Sequence, residues 1–183
     1  MGYTFLSSQT ASTSSSIDFT SGIDGTYDEY LFTIVNYKPV TDPDQICWQV
    51  DTGTNTSYNQ TITSTSFYMG TNDTGSWTDF AYHTGGDQAE GTALQRLSYG
   101  GEGTVDPSLT SSGELRLYAP SSSTYMKHFT SENNLIYNSS GNRANTTMHI
   151  AGYVNTTTAL TRLRFAARTG NIATGTFTLY GVS

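Results

Sequence analysis

Apolar and polar positions alternate with a period of two through most of the chain. That period marks strands, because successive side chains of an extended backbone point to opposite faces. Ile46, Trp48 and Val50 share one side of a run whose other side is Gln45, Cys47, Gln49 and Asp51. This predicts a half-buried strand, apolar side inward and polar side in water. Leu163, Phe165 and Ala167 are likewise expected inside, with Arg162, Arg164 and Arg168 outside. Tyr30, Phe32 and Ile34 alternate instead with Leu31, Thr33 and Val35, so both sides carry apolar groups, predicting a central strand covered on both faces. Further strands are expected at 61–69, around Leu115 and Leu117, at 125–130, at 135–137, along Met148, Ile150 and Val154, and at Phe177 with Leu179. Asp24-Gly25, residues 39–44 and Gly170-Asn171 supply turns between them.

Two stretches depart from this pattern. Residues 1–20 place Tyr3, Phe5 and Leu6 before a tract of Ser and Thr that ends at Ile17 and Phe19. They read as an extended N-terminal arm or an edge strand. Across residues 70–113 periodicity fades and glycines accumulate. Ala89, Ala93, Leu94 and Leu97 fit one helical turn there, which Gly91 weakens. Such an insertion is expected at one end of a sandwich, carrying its contacts. The whole chain, 1–183, reads as one all-β domain: a single antiparallel β-sandwich of about eight to ten strands, jelly-roll-like.

Composition narrows the function classes. Only 13% of residues are charged, roughly 30% are Ser or Thr, and there are just two Lys, so long solvated helices are not expected. The net charge of −7 argues against nucleic acid and against an anionic membrane surface as partners. The single cysteine, Cys47, has no internal partner for a disulfide. With neither a leader pattern nor an apolar run of spanning length, the chain is expected to be made without a signal and to be soluble or part of an assembly.

Motifs for phosphate cradling, nucleophilic catalysis and zinc binding are missing from the sequence. Gly100-Gly101-Glu102-Gly103 lacks the Lys-Ser/Thr that would hold a phosphate and reads as a loop. His83, His128 and His149 are far apart in sequence. Asp42 with Asp44, or Asp24 with Asp28 and Glu29, offer oxygen ligands but match no calcium loop, and Asp serves turns without any metal. A glycosidase pair would have to be assembled from scattered acids such as Glu29, Glu90, Glu102, Glu114 and Glu132. No catalytic residue, metal or cofactor is therefore expected, and the Asn-x-Ser/Thr triplets at Asn55, Asn59, Asn72, Asn138, Asn145 and Asn155 are expected to stay unmodified. Two groups remain as candidate partner contacts. Arg162, Arg164 and Arg168 form either a solvated strand face or a patch for an acidic partner or neighbouring subunit. Trp77, Phe80 and Tyr82 either plug the end of the sandwich or serve as interface anchors or a platform for a sugar ring.

Several segments together resemble a known group. They are Ser7-Ser8-Gln9-Thr10-Ala11-Ser12, the run Ile17 to Ile23, Tyr27-Asp28-Glu29-Tyr30, Leu117-Tyr118-Ala119-Pro120-Ser121-Ser122, Lys127-His128-Phe129, Ala151-Gly152-Tyr153 with Asn155-Thr156-Thr157, Gly170-Asn171-Ile172 and Leu179-Tyr180-Gly181. As a set they resemble small virion structural proteins of tailed phages from marine and freshwater bacteria, including cyanophages; residues 70–113 match least. The resemblance implies a non-enzymatic jelly-roll capsid decoration, or cement, protein. Such a protein is made in the host cytoplasm and sits as a homotrimer on the outer surface of the phage head. It bridges subunits of the major capsid protein, adding buried area that exists only in the assembled shell. Tyr3, Phe5 and Leu6 would then form an arm across a subunit boundary, or a simple edge strand. The alternative of another class is a tail-associated receptor-binding module that holds host-surface glycan, a role the same fold can carry.

Overall fold

The computed structural model describes residues 2–41, 43–100, 106–139 and 141–183. Asp42 of the candidate calcium pair, and Gly101, Glu102 and Gly103 of the glycine-rich loop, lie outside the described residues. Thirteen strands follow one another: β1 (Tyr3–Ser14), β2 (Ile17–Phe19), β3 (Glu29–Pro39), β4 (Ile46–Thr52), β5 (Ile62–Asn72), β6 (Thr78–Tyr82), β7 (Gln88–Gly91), β8 (Gln95–Arg96), β9 (Ser111–Tyr118), β10 (Lys127–Ser139), β11 (Asn142–Val154), β12 (Leu160–Ala167) and β13 (Ile172–Val182). They form an all-β antiparallel sandwich. The larger sheet runs β1-β13-β3-β9-β10-β11-β5-β6, with β7 also paired to β5, and the smaller runs β2-β12-β4-β8. β3 pairs with β13, β4 with β12, β5 with β11 and β9 with β10, a nested set of antiparallel pairs of which only β4–β12 lies in the smaller sheet.

The two sheets meet through rings from both sides. Phe32 of β3 lies edge-on to Phe19 of β2 at 5.3 Å and to Phe165 of β12 at 5.8 Å. Phe165 also meets Phe177 of β13 at 5.2 Å, and Trp48 of β4 meets Phe129 of β10 at 4.8 Å. All six are buried in one continuous core. Edge-on rings place the positive rim of one against the negative face of the other, adding to the burial of large apolar area. Gly170, at the turn between β12 and β13, has a φ of +74°, the left-handed conformation that glycine adopts without a Cβ clash.

Several expectations are corrected. Among the described residues there are thirteen strands rather than eight to ten, because β2, β7 and β8 are only 3, 4 and 2 residues long and leave little periodic signal. The helical turn at 89–97 is absent: that stretch contains β7 and β8. Residues 127–130 and 135–137 are not separate strands but parts of β10, which Tyr125 and Met126 precede and whose inward side carries the polar Ser131 and Asn133 midway. β1 is an edge strand, paired with β13 along its length. The outward side of β4 is not in water, since Gln45, Cys47, Gln49 and Asp51 are all buried. Conversely β3, central in its sheet, is covered on one face only: Val35 is exposed, although Leu31 is buried.

Candidate functional site

The outward side of β4 is covered by the chain itself. The Asp51 carboxylate accepts hydrogen bonds from the backbone of Thr52 (2.9 Å) and Tyr58 (2.8 Å) and from the Gln60 amide (3.0 Å). The Gln49 amide donates to the carbonyls of Gln60 and Ala93 at 2.9 and 3.2 Å. These bonds fasten residues 53–61 over the smaller sheet and seat the Tyr58 ring on that face. Arg164 lies over this ring, its guanidinium carbon 4.0 Å from the centroid, and makes a bidentate pair with Asp18 at 2.8 and 2.6 Å. The hydrogen bonds to Asp18 raise its pKa further. Arg162 donates to the Gly53 carbonyl at 3.1 Å, and Arg168 stands exposed beyond the end of β12. The three arginines therefore do not form one free stripe: Arg164 is already paired within the chain.

The outer face of the larger sheet is the opposite case. Cross-strand register lines up Ser8, Thr178, Thr33, Glu114, Glu132, His149, Phe67 and Tyr82 in one row from β1 to β6. The next row runs Phe5, Tyr180, Leu31, Arg116, Thr130, Ala151 and Thr65. A third places Ser112, Asn134, Thr147, Met69 and Phe80 side by side. Apolar groups gather at the two ends of these rows. At one end Tyr3 and Phe5, 51% and 60% exposed, meet Tyr180 edge-on at 6.5 and 6.2 Å. At the other, Phe67, Met69, Phe80 and Tyr82 are all exposed, with Phe80 edge-on to Phe67 at 5.6 Å and His149 stacked on Phe67 at 5.0 Å.

A charged strip separates the two ends. Arg116 binds Glu29 at 2.6 Å and Glu114 at 2.7 Å, and these bonds, that to Glu114 foremost, push its pKa up. Glu132 stands directly opposite Glu114 across the β9–β10 ladder, a like-charge pair, and is approached by His149 Nδ1 at 3.4 Å. Between them lies an open depression of about 340 Å³ lined by Phe67, Glu114, Arg116, Thr130, Glu132 and His149. The carboxylates here pair with the guanidinium and face the imidazole within the chain itself.

Of the expected contact residues, Tyr3, Phe5, Phe80 and Tyr82 lie on this face, at its opposite ends. Leu6 does not join them: next to Phe5 in an extended strand, it points to the opposite face and packs against the core. Trp77 is half-buried across Gly70, where a Cβ would come within 2.6 Å of the indole. Phe67, Met69, Arg116, Glu132 and His149 were not singled out as partner contacts by sequence reasoning. The period-two pattern placed Phe67 and Met69 of β5, Arg116 of β9 and His149 of β11 in strands but did not say which side would stay open, and Glu132 fell between two expected strand pieces.

The metal candidates are engaged otherwise. Asp24 accepts from Thr26 N at 2.8 Å and from the Tyr30 hydroxyl at 3.0 Å, and these bonds, led by that to Thr26, lower its pKa. Asp44 caps Thr169 N at 2.8 Å. Among the described residues no group of three or more His, Cys, Asp and Glu is placed to hold a metal. Past the end of the smaller sheet, His83 packs against Tyr68 and Tyr99, with ring centroids 6.1 and 5.0 Å away, and Tyr68 donates to Asp79. Burial lowers the His83 pKa, helped by the neighbouring Arg96. No model of a known protein family matches the chain, and neither does any curated protein or any solved structure.

Proposed function

We propose that this chain is a non-enzymatic virion component, a capsid decoration protein that bridges subunits of the major capsid protein on the outside of a phage head, as a trimer. The observation that supports this reading best is the outer face of the larger sheet. It is broad and open, with aromatic anchors at both ends and a charged strip between. Aromatic side chains and arginine are the groups that carry binding energy at protein interfaces, and a face with two separate anchor sites suits a protein that touches two neighbours at once. Three-fold repetition turns modest contacts into high occupancy.

The test is the copy number in purified particles, by quantitative mass spectrometry against the major capsid protein. A ratio near one to one, or another lattice-sized fraction, is expected. A few copies per particle would overturn the capsid reading in favour of the tail. The second reading, a glycan-holding adsorption module, draws on one specific feature. Phe80 is 69% exposed, and the nearby Tyr82 hydroxyl donates to Asp87 at 2.6 Å. A flat ring beside a carboxylate is suited to stacking a sugar and binding its hydroxyls.

A further inference from the structure

The edges of the larger sheet are built differently. At one edge, β6 and β7 both pair with β5, span only 5 and 4 residues, and are flanked or occupied by Asp79, Asp87 and Glu90. Short, interrupted, charged strands are how proteins protect an edge from pairing with another chain. At the other edge, β1 runs for 12 residues, about 40 Å at roughly 3.4 Å per residue, with no proline. Residues 2–17 contain no charged side chain.

The ladder shows which backbone groups this edge presents. Gly2 and Ser183 exchange both backbone hydrogen bonds, at 2.6 and 3.0 Å. In an antiparallel pair such exchanging positions alternate with positions that face away. Allowing for the bulge between Phe5 and Ser7, the N–H and C=O groups of Phe5, Ser8 and Thr10 point away from β13. No described strand pairs with that side. Ser12 N–H is taken by Ser14 Oγ at 3.1 Å and Thr13 O by Asn171 at 3.2 Å, so the strand is closed locally at its far end and open along Phe5 to Thr10.

We infer that β1 is a self-association edge: two copies of this chain pair antiparallel through β1 about a two-fold axis, continuing the larger sheet from one subunit into the next. A second copy is the occupant that the chemistry favours. A two-fold contact needs a surface complementary to itself, and an uncharged strand of uniform hydrogen-bonding groups meets its own image without opposing like charges. This matters for a chain of net charge −7, whose overall charge opposes the approach of another copy. A charged partner strand would find no counter-charge on β1. The strip is narrow, about 40 Å by roughly 10 Å per copy, so about 800 Å² in total, below the size of stable complexes. The dimer is therefore weak and concentration-dependent. It does not depend on the capsid reading, because the edge exists in the isolated chain, and a two-fold contact through β1 is compatible with a three-fold contact elsewhere.

The experiment is sedimentation of the full chain between about 10 µM and about 1 mM, with backbone amide exchange read at the same concentrations. The wild type is expected to shift from monomer to dimer, with the Ser8 and Thr10 amides slowing as it does. Thr10→Pro removes an outward N–H while sparing the ladder to β13, and is expected to weaken association at least tenfold. Ser8→Lys, which brings like charges together across the axis, is expected to act in the same direction. Thr130→Lys, on the same face but far from the edge, is expected to leave it unchanged. If the prolyl variant unfolds, amide exchange in the wild type still decides. A monomer throughout the range would overturn the proposal and leave the edge to a strand of a different chain. So would a dimer whose Ser8 and Thr10 amides exchange freely, because another surface would then hold it.

Discussion

The two outer faces of this sandwich invert the usual expectation. On the smaller sheet the outward side of β4 is polar, and it is buried; on the larger sheet the outward sides of β5 and β6 are aromatic, and they are exposed. The difference comes from what the chain does next. Residues 53–61 fold back over β4, and that return is held by polar groups: Asp51 and Gln49 take up backbone N–H and C=O groups that would otherwise be left unpaired away from water. A covered polar face is thus a device for fastening a loop. Nothing in the described chain returns over Phe67, Met69, Phe80 and Tyr82, and an apolar face left open by its own chain suits an external partner.

This contrast can be broken most forcefully at its covered side. Asp51→Ala should cost about 3 kcal/mol, because three donors lose a buried charged acceptor together, and urea unfolding would read it as a lowered midpoint. A loss under about 1 kcal/mol would mean that the return of 53–61 is held by something else. Next in size is Arg164→Met, expected to cost about 2 kcal/mol through the lost Asp18 pair and the lost contact with the Tyr58 ring. Arg168→Ala, lacking such contacts, should stay within about 0.5 kcal/mol. Equal losses at the two arginines would show that the pairing does not separate them.

On the open face the prediction reverses. Phe80→Ser should leave thermal stability within about 0.5 kcal/mol and, on the capsid reading proposed above, reduce incorporation into particles, measured by competition against the wild type. Undiminished incorporation would remove the ring from the binding face. The smallest effect concerns His83. Its pKa lies below the usual 6.5, so the folded state prefers the neutral ring, whereas the unfolded chain takes up a proton near 6.5. Stability is therefore intact above that pH and declines as pH falls from about 6.5 through the lower folded value. His83→Gln should flatten that decline in a series of melting curves.

How far these features were legible depended on which force placed each residue. The inward sides of β4 and β12 were readable because Trp48, Val50, Leu163 and Phe165 have no alternative to the core. β10 was harder: Asn133, though 1% exposed, is polar and bonds Ser131 Oγ, so it interrupts the apolar signal in mid-strand. The spacing of Ala89, Ala93, Leu94 and Leu97 imitates a helical turn, but pairing of β7 with β5 and of β8 with β4 prevails over so weak a local preference. Tyr3 and Phe5 were recognised as candidate contacts, and their separation from Leu6 follows from the period of two; what left no mark in residue type is the bulge after Phe5, which puts Ser8 rather than Ser7 on the outer face.

By itself the sequence determined that this chain is built of strands, since a period of two buries apolar positions on one face of a sheet; the division into two packed sheets came from the fold. It also determined that the first strand is free of charge. Only the tertiary structure decided which outward faces remain open, because a loop returning over a sheet is a long-range event with no period of its own. For the same reason only the fold could set Arg164 against Asp18, 146 positions away in the chain, and leave Phe80 facing water.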